Sequence, residues 1–150
     1  MLDFRTMRIR EMAENDIAGV ARVHVDCWRT TYAGIMPDDY LNGISYERSG
    51  NRWKKNLDEI KSKRESFCFV AENDGGEIIG FSYGGPQRNT NTDFFPEYKG
   101  EIYAAYVLKA QQQKGAGRPT CKSARNPAYG TRNGFYDCQR FSPESVAQVL

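Results

Sequence analysis

Two short apolar segments separated by a strong turn signal constrain the fold of this chain more than any other feature of its sequence. Residues 66–72 are rich in aromatic and β-branched side chains, as is typical of a strand. The sequence Asn-Asp-Gly-Gly at 73–76 then supplies the residues that a tight turn needs, and a second apolar segment follows at 78–83. The two segments therefore predict an antiparallel hairpin, which commits the chain to a fold that contains a β-sheet.

The remaining periodic segments predict one strand and two helical stretches before this hairpin, and one strand after it. Residues 7–11 alternate between polar and apolar side chains and form the first strand. Apolar residues at helical spacing follow the predicted N-cap Asn15, and this first helix should end near 32–34. A second helical stretch starts at Pro37, and residues 101–108 form the fourth strand. The predicted order of elements is β-α-α-β-β-β, an α/β (α+β) arrangement.

Composition limits the classes of function that fit the chain. It has 150 residues, 39% hydrophobic and 27% charged, as expected for one globular domain. Lys and Arg number 21 against 19 Asp and Glu, which gives no reason to expect a nucleic-acid partner. No apolar run suits a membrane span or a signal peptide, so we expect a cytoplasmic protein. The four cysteines form no CxxC pair and no metal cluster with the single histidine.

A glycine-containing loop follows the fourth strand and carries the strongest chemical signal in the sequence. Gly115 and Gly117 lie where a strand should lead into a helix, and glycines let backbone N–H groups approach a phosphate closely. Lys114 and Arg118 add positive charge at the same place. The loop is therefore a candidate anion site, although a surface turn is an equal alternative when the loop is taken alone.

Two sequence patterns, together with the order of elements, point to a known family. The pattern Gln-x-x-Gly-x-Gly lies at 112–117, directly after the strand at 101–108, and Trp-x-x-x-Tyr-x-Gly-x-x-Pro lies at 28–37. In this order and spacing they resemble the GCN5-related N-acetyltransferases, the GNAT family. The first is similar to the pyrophosphate loop of the family, and the second resembles a segment of one of its branches. The resemblance covers residues 7–118 and implies a mainly antiparallel sheet flanked by helices, with acetyl-CoA as co-substrate.

The resemblance implies which residues would contact acetyl-CoA. Backbone amides of residues 114–118 would hold the pyrophosphate, and the backbone of residues 106–108 would pair with the pantetheine arm. The acetyl thioester would lie where the fourth strand separates from a fifth. The implied binding residues are Tyr106, Val107, Leu108, Gln112, Gln113, Lys114, Gly115, Ala116, Gly117 and Arg118.

The resemblance also implies a base and an acceptor pocket. An amine must be neutral to attack the thioester, so a basic group or a water chain has to take its proton. Glu101 matches the base of the family by position, and the alternative is a solvated carboxylate at the end of a strand. Trp28 and Tyr32 would line the acceptor pocket, with core packing as the alternative. His24 is expected to be a packed or surface residue and not a base.

The resemblance ends at Arg118. Residues 119–150 have no helical apolar stripe, Pro127 would stop a helix early, and three turn signals follow in succession. We therefore expect two regions, an acetyl-CoA-binding domain at 1–118 and an aberrant tail at 119–150 that is loop or disordered.

A frameshift in the coding DNA is the hypothesis that accounts for this tail. Read one nucleotide later, the codons of residues 119–128 permit Leu-Leu-Val-Lys-Ala-Leu-Ala, an amphipathic helix of the kind that the family has after its loop. In the same shifted frame, residues 140–149 permit Asn-Pro-Ser-Arg-Arg-Phe, which resembles the fourth-helix motif of the family. Stop codons in the shifted frame would exclude the hypothesis.

The tail affects what we expect of function. Without a fifth strand, the fourth would be an exposed edge, which favours a homodimer or higher association. We expect an acetyltransferase that acts on a primary amine of a small-molecule or peptide acceptor, with impaired activity, and no nucleic-acid or membrane partner. The alternative is a non-catalytic module that binds CoA, and binding without turnover would distinguish the two.

Overall fold

The fold is a four-stranded antiparallel sheet with helices packed on it, and the computed structural model describes residues 7–86 and 100–112. The strands lie in the order β1-β2-β3-β4, and the observed sheet and helices confirm the predicted mixed fold. Short 3-10 turns precede the first helix and follow the last strand. The elements are β1 (Arg8–Glu11), α1 (Ile17–Thr31), α2 (Asp38–Gly43), α3 (Tyr46–Lys63), β2 (Phe67–Glu72), β3 (Ile78–Pro86) and β4 (Gly100–Val107).

An ion-paired arginine fixes the start of α1. The guanidinium of Arg10 on β1 donates to both carboxylate oxygens of Asp16, at 2.5 and 2.8 Å, and to Glu72 on β2 at 2.7 Å. Burial alone would raise the pKa of Asp16, but the hydrogen bonds from Arg10 and from the Ala13 N–H lower it. The predicted N-cap Asn15 is wrong by one position, because Asn15 lies inside a 3-10 turn and Asp16 directly precedes α1. The Asp16 side chain makes no capping bond to α1 and is held by Arg10 and the Ala13 N–H instead.

The second predicted helical stretch consists of two helices. It begins after Pro37 as predicted, but α2 ends at Gly43 and α3 starts after Ser45. The hydroxyl of Ser45 accepts the backbone N–H of Arg48 at 3.3 Å, which is an ordinary N-cap bond. Tyr40 on α2 is 55% exposed.

The main core lies between the sheet and the two long helices. Its buried members come from α1, α3 and the sheet, and include Val20, Val23, Cys27, Trp53, Leu57, Val70 and Phe81. A smaller cluster of Phe67, Phe69 and Ile9 lies apart from it. In the described part of the chain, no helix combines the length and the apolar character needed to cross a membrane.

A glycine allows α1 to approach β3 closely. A Cβ atom added at Gly19 would lie 2.8 Å from Cγ1 and 3.0 Å from Cβ of Ile78. These atoms are near the root of a side chain that is only 5% exposed, so Ile78 cannot easily move away. The distance between helix and sheet therefore depends on the absence of a side chain at position 19.

Gly19 in α1 and Gly50 in α3 offer a matched test of this contact. We expect Gly19→Ala to destabilise the protein by about 1–2 kcal/mol, because overpacking outweighs the gain in helix propensity. Gly50→Ala in α3 should stabilise it by about 0.5–1 kcal/mol, because an added Cβ meets nothing closer than 4.0 Å. Urea unfolding of both variants measures the difference, and equal effects would contradict the close approach.

Candidate functional site

A bulge in β4 decides which face of the sheet Glu101 occupies. Ala104 lies opposite Tyr83, and Glu101 lies opposite Gly85. The two residues of β4 are three positions apart, whereas their partners on β3 are only two positions apart. Tyr103 is the extra residue. Opposite residues point to the same face, and Tyr83 belongs to the core beneath the helices. Glu101 therefore points to the helix-covered face together with Ala104, which it would not do in a regular strand.

Along β4, the backbone N–H and C=O groups of successive residues point alternately toward β3 and away from it. Leu108 donates its N–H to the carbonyl of Ile79 on β3 at 3.0 Å. Because hydrogen-bonding direction alternates along an antiparallel strand, Tyr106 also faces β3, whereas Val107 and Ala105 face away from it. Of the three residues predicted to pair with pantetheine, only Val107 has its backbone on the outer side. Ala105 is an additional candidate that the sequence reasoning missed.

The first residue of the predicted phosphate loop already contacts this outer side. The side-chain amide of Gln112 donates to the carbonyl of Val107 at 3.0 Å. A short turn at Lys109–Gln111 connects the two. The remaining predicted loop residues lie outside the described residues: Gln113, Lys114, Gly115, Ala116, Gly117 and Arg118.

An aromatic wall joins the end of α1 to β4. The indole N–H of Trp28 donates to the hydroxyl of Tyr106 at 3.0 Å, and the rings of Trp28 and Tyr32 have centroids 4.7 Å apart. Tyr32 is 8% exposed, and its buried hydroxyl has no hydrogen-bond partner in the described part of the chain. Burial raises the pKa of both tyrosines, so both hydroxyls keep their protons at neutral pH and can donate hydrogen bonds.

His24 packs inside this wall, as predicted. Its ring lies edge-on to Tyr106, Trp28 and Trp53, with centroid distances of 5.6, 6.0 and 6.4 Å. Its Nδ1 atom lies 3.0 Å from the hydroxyl of Ser49. Burial, and secondarily the charge of Arg52, lower the pKa of His24 to about 4. The imidazole is therefore neutral at physiological pH and too weakly basic to act as an efficient proton acceptor there.

A cleft of about 470 Å³ opens between α1 and the α2–α3 segment, next to the aromatic wall. We call it the helical cleft. Trp28 lines it, whereas Tyr32 is largely buried and supports Trp28 through the ring contact. The lining residues are His24, Trp28, Asp39, Tyr40, Gly43, Ile44, Ser45, Arg48, Ser49 and Arg52.

Comparison with known proteins identifies the family. Residues 17–124 match the model of the family described as Acetyltransferase (GNAT) family. The chain belongs to the GNAT acetyltransferase family. The predicted family and the prediction of an acetyltransferase are thereby confirmed, and acetyl-CoA is the acetyl donor that fits this family.

Relatives of this GNAT acetyltransferase agree with the family assignment. It is 35% identical over 154 aligned residues to YuaI of Bacillus subtilis, described as an uncharacterized N-acetyltransferase, covering 93% of this chain and 82% of YuaI. Its fold is similar to that of the PaiA N-acetyltransferase from Thermoplasma acidophilum, which was solved with coenzyme A. That match has a TM-score of 0.65 and 21% identity over 80% of this chain and 70% of PaiA.

A second structural neighbour is AAC(6')-Iy, which was solved with a bisubstrate analogue, CoA-S-monomethyl-acetylneamine. The match has a TM-score of 0.59 and 19% identity, and it covers 95% of this chain and 85% of the neighbour. At this level of identity, both structural matches support the fold and leave the acceptor of this GNAT acetyltransferase open.

The partly buried His24 should make the folded protein less stable in mild acid. Because its pKa is about 4 in the folded chain and about 6.5 when unfolded, the unfolded state binds more protons between these values. We expect the free energy of unfolding to fall by roughly 1.5 kcal/mol from pH 6.5 to pH 5, before ordinary carboxylates titrate. Urea unfolding at the two pH values measures this loss. His24→Gln should remove most of the difference, and an unchanged slope would contradict burial of the neutral imidazole.

Proposed function

We propose that this chain transfers the acetyl group of acetyl-CoA to a primary amine, and that β4 provides both the binding edge and the base. The bulge at Tyr103 carries the proposal. It directs Glu101 to the helix-covered face that the aromatic wall also occupies, while Val107 keeps its backbone groups on the outer side of the strand.

The donor would bind along the outer side of β4. The N–H and C=O groups of Ala105 and the N–H of Val107 would pair with the amides of the pantetheine arm as a neighbouring strand would. Residues 114–118 would hold the pyrophosphate through backbone N–H groups, with the charges of Lys114 and Arg118 beside it. Gln112 would anchor the start of this loop through its bond to Val107.

Glu101 would act as the base. Acetyl-CoA supplies an activated carbonyl carbon, which the neutral amine nitrogen attacks. The carboxylate of Glu101 takes the proton of the amine, directly or through a water, as the N–C bond forms and the C–S bond breaks. The thiolate of coenzyme A is the leaving group and gains a proton afterwards. Trp28, supported by the ring of Tyr32, would hold the acceptor beside this carboxylate.

Binding of acetyl-CoA tests the donor half of the proposal. Gly117→Glu should abolish binding in calorimetric titration, because a carboxylate would enter the pyrophosphate loop and repel the phosphates. Gly75→Glu is the matched control. It adds the same charge in an exposed turn with no positive φ, and it should leave the affinity unchanged. Equal binding by both variants would exclude this loop as the donor site.

Substitution of Glu101 tests its proposed role as the base. Glu101→Gln should lower kcat/KM for amine acetylation by about 10²–10⁴-fold, and acetyl-CoA should bind as before. Glu59→Gln, at an exposed position on α3, should leave both quantities unchanged. Turnover by Glu101→Gln at the rate of the unmodified chain would rule out this carboxylate as the base.

The activity of the 150-residue chain is part of the same proposal. We expect it to be impaired, because residues 119–150 lack the helical pattern of the family. Acetyl-CoA binding without turnover of any amine would favour the alternative of a CoA-binding module. Turnover at rates ordinary for enzymes, about 1–10³ s⁻¹, would show that the tail does not impair catalysis.

A further inference from the structure

The helical cleft carries two positive charges that no carboxylate of residues 7–86 and 100–112 neutralises. Arg48 and Arg52 lie one turn apart on α3, and both line the cleft. Like charges at this spacing repel each other and destabilise a helix slightly. Within residues 7–86 and 100–112, neither guanidinium has an ion-pair partner, in contrast to Arg10 and Arg22. The two side chains therefore leave a positive charge exposed to whatever enters the cleft.

The other charged and polar groups of the cleft do not cancel this charge. Among the described residues, Asp39 is the single carboxylate in its wall, against two guanidinium groups. The N-terminus of α3 begins at the same place after Ser45 and adds a partial positive charge. Ser49, which is 6% exposed, and the neutral His24 form a hydrogen-bonded pair in the wall. The cleft is thus positive, with uncharged hydrogen-bonding groups in its wall.

The wall of the cleft is held in place by a third arginine. Arg29 on α1 donates to the carbonyls of Leu41 at 3.3 Å and Ile44 at 2.9 Å, which lie at the end of α2. Its guanidinium also lies over the ring of Tyr46, 5.1 Å from the centroid. Because these contacts occupy Arg29, it shapes the cleft, whereas Arg48 and Arg52 remain available to a ligand.

Two of the residues that line the cleft also contact Tyr106 of β4. Trp28 lines the cleft and donates to Tyr106 of β4, and His24 lines it and contacts the ring of Tyr106 at 5.6 Å. A ligand in the cleft would therefore lie against side chains that contact the strand that carries Glu101.

We propose that the helical cleft binds an oxyanion of the acceptor, a carboxylate or a phosphate, through Arg48 and Arg52. Guanidinium groups form two parallel hydrogen bonds with either oxyanion, and the shared chemistry is this bidentate contact. The substrate class is then an amine that also carries an anionic group, with the anion in the cleft and the amine near β4. This inference rests on the proposed function for the role of the amine, but anion binding itself does not.

A direct binding experiment uses the single histidine of the chain as its probe. His24 gives one set of imidazole resonances, and at pH 7.5 it stays neutral, so its chemical shifts report changes in its surroundings. We expect a saturable shift on adding inorganic phosphate, or on adding acetate as the carboxylate probe, and the larger response identifies the preferred oxyanion. Sodium chloride at matched ionic strength should give no saturable shift.

Variants assign the response to the two arginines. Arg52→Gln should weaken oxyanion binding at least about tenfold, as expected for the loss of a charge-assisted contact, and Arg48→Gln with Arg52→Gln should abolish it. Lys63→Gln removes the same charge at the far end of α3, about 22 Å from Arg48, and should bind as the unmodified chain does. A response equal to that of chloride, or one that persists in the double variant, would overturn the proposal.

Two acceptors that differ by a phosphate group distinguish a failure of this inference from a failure of the proposed function. O-phosphoethanolamine should have a lower KM than ethanolamine in the acetylation assay, and Arg52→Gln should reduce the advantage at least about tenfold. If no amine is turned over but the His24 signal still saturates, the proposed function fails and the oxyanion site stands. If amines are turned over with no preference for the anionic one and no His24 response, the oxyanion site fails alone.

Discussion

A strand has hydrogen-bonding groups along both of its sides, and in the described part of this chain β3 satisfies those of only one side of β4. The bond from Leu108 to Ile79 fixes the alternation, so the outer groups belong to Ala105 and Val107. One of them, the carbonyl of Val107, is occupied by the side chain of Gln112. The geometry of the candidate site depends on this outer side, since it determines where an extended ligand can pair with the sheet.

The bulge gives the same strand a second role. A regular strand would place Glu101 and Ala104 on opposite faces, because three residues separate them. The extra residue at Tyr103 brings both side chains to the face covered by the helices. One strand therefore offers backbone groups at its edge and a carboxylate on its face, close to the aromatic residues that α1 supplies.

The helices are positioned by polar contacts as well as by the core. Arg10 links β1 and β2 to the residue that precedes α1, and Arg29 links the end of α1 to the end of α2. The bond from Trp28 to Tyr106 then connects α1 with β4. Each contact joins residues of different elements, so together they hold the aromatic wall and the helical cleft in one arrangement.

The sequence predicted those features that depend on neighbouring residues. The hairpin around 73–76, the start of a helix after Pro37 and the strand at 101–108 all follow from local residue preferences. The split between α2 and α3 was missed, although Gly43 and Ser45 are ordinary end and cap signals. Apolar residues keep a helical spacing across the break, so the sequence suggests one continuous helix there.

Features that depend on distant residues could not be predicted in this way. The residue that precedes α1 is Asp16 and not Asn15, and the partner that holds its side chain, Arg10, comes from a strand. The extra residue in β4 can be seen only from its register with β3, so the face occupied by Glu101 was unpredictable. The spacing of Arg48 and Arg52, four residues apart, places two like charges on one side of a helix and is visible in the sequence. Their position in a cleft depends on α1 and is not visible there.

The contact between Gly19 and Ile78 links two positions far apart in the chain. Because helix and sheet touch at the root of the isoleucine side chain, the helix has no room for a side chain of its own there. Among relatives that keep this spacing, a larger residue at the helix position requires a smaller one on the strand. The two positions should therefore vary together during evolution, with their combined volume more nearly constant than the identity of either residue.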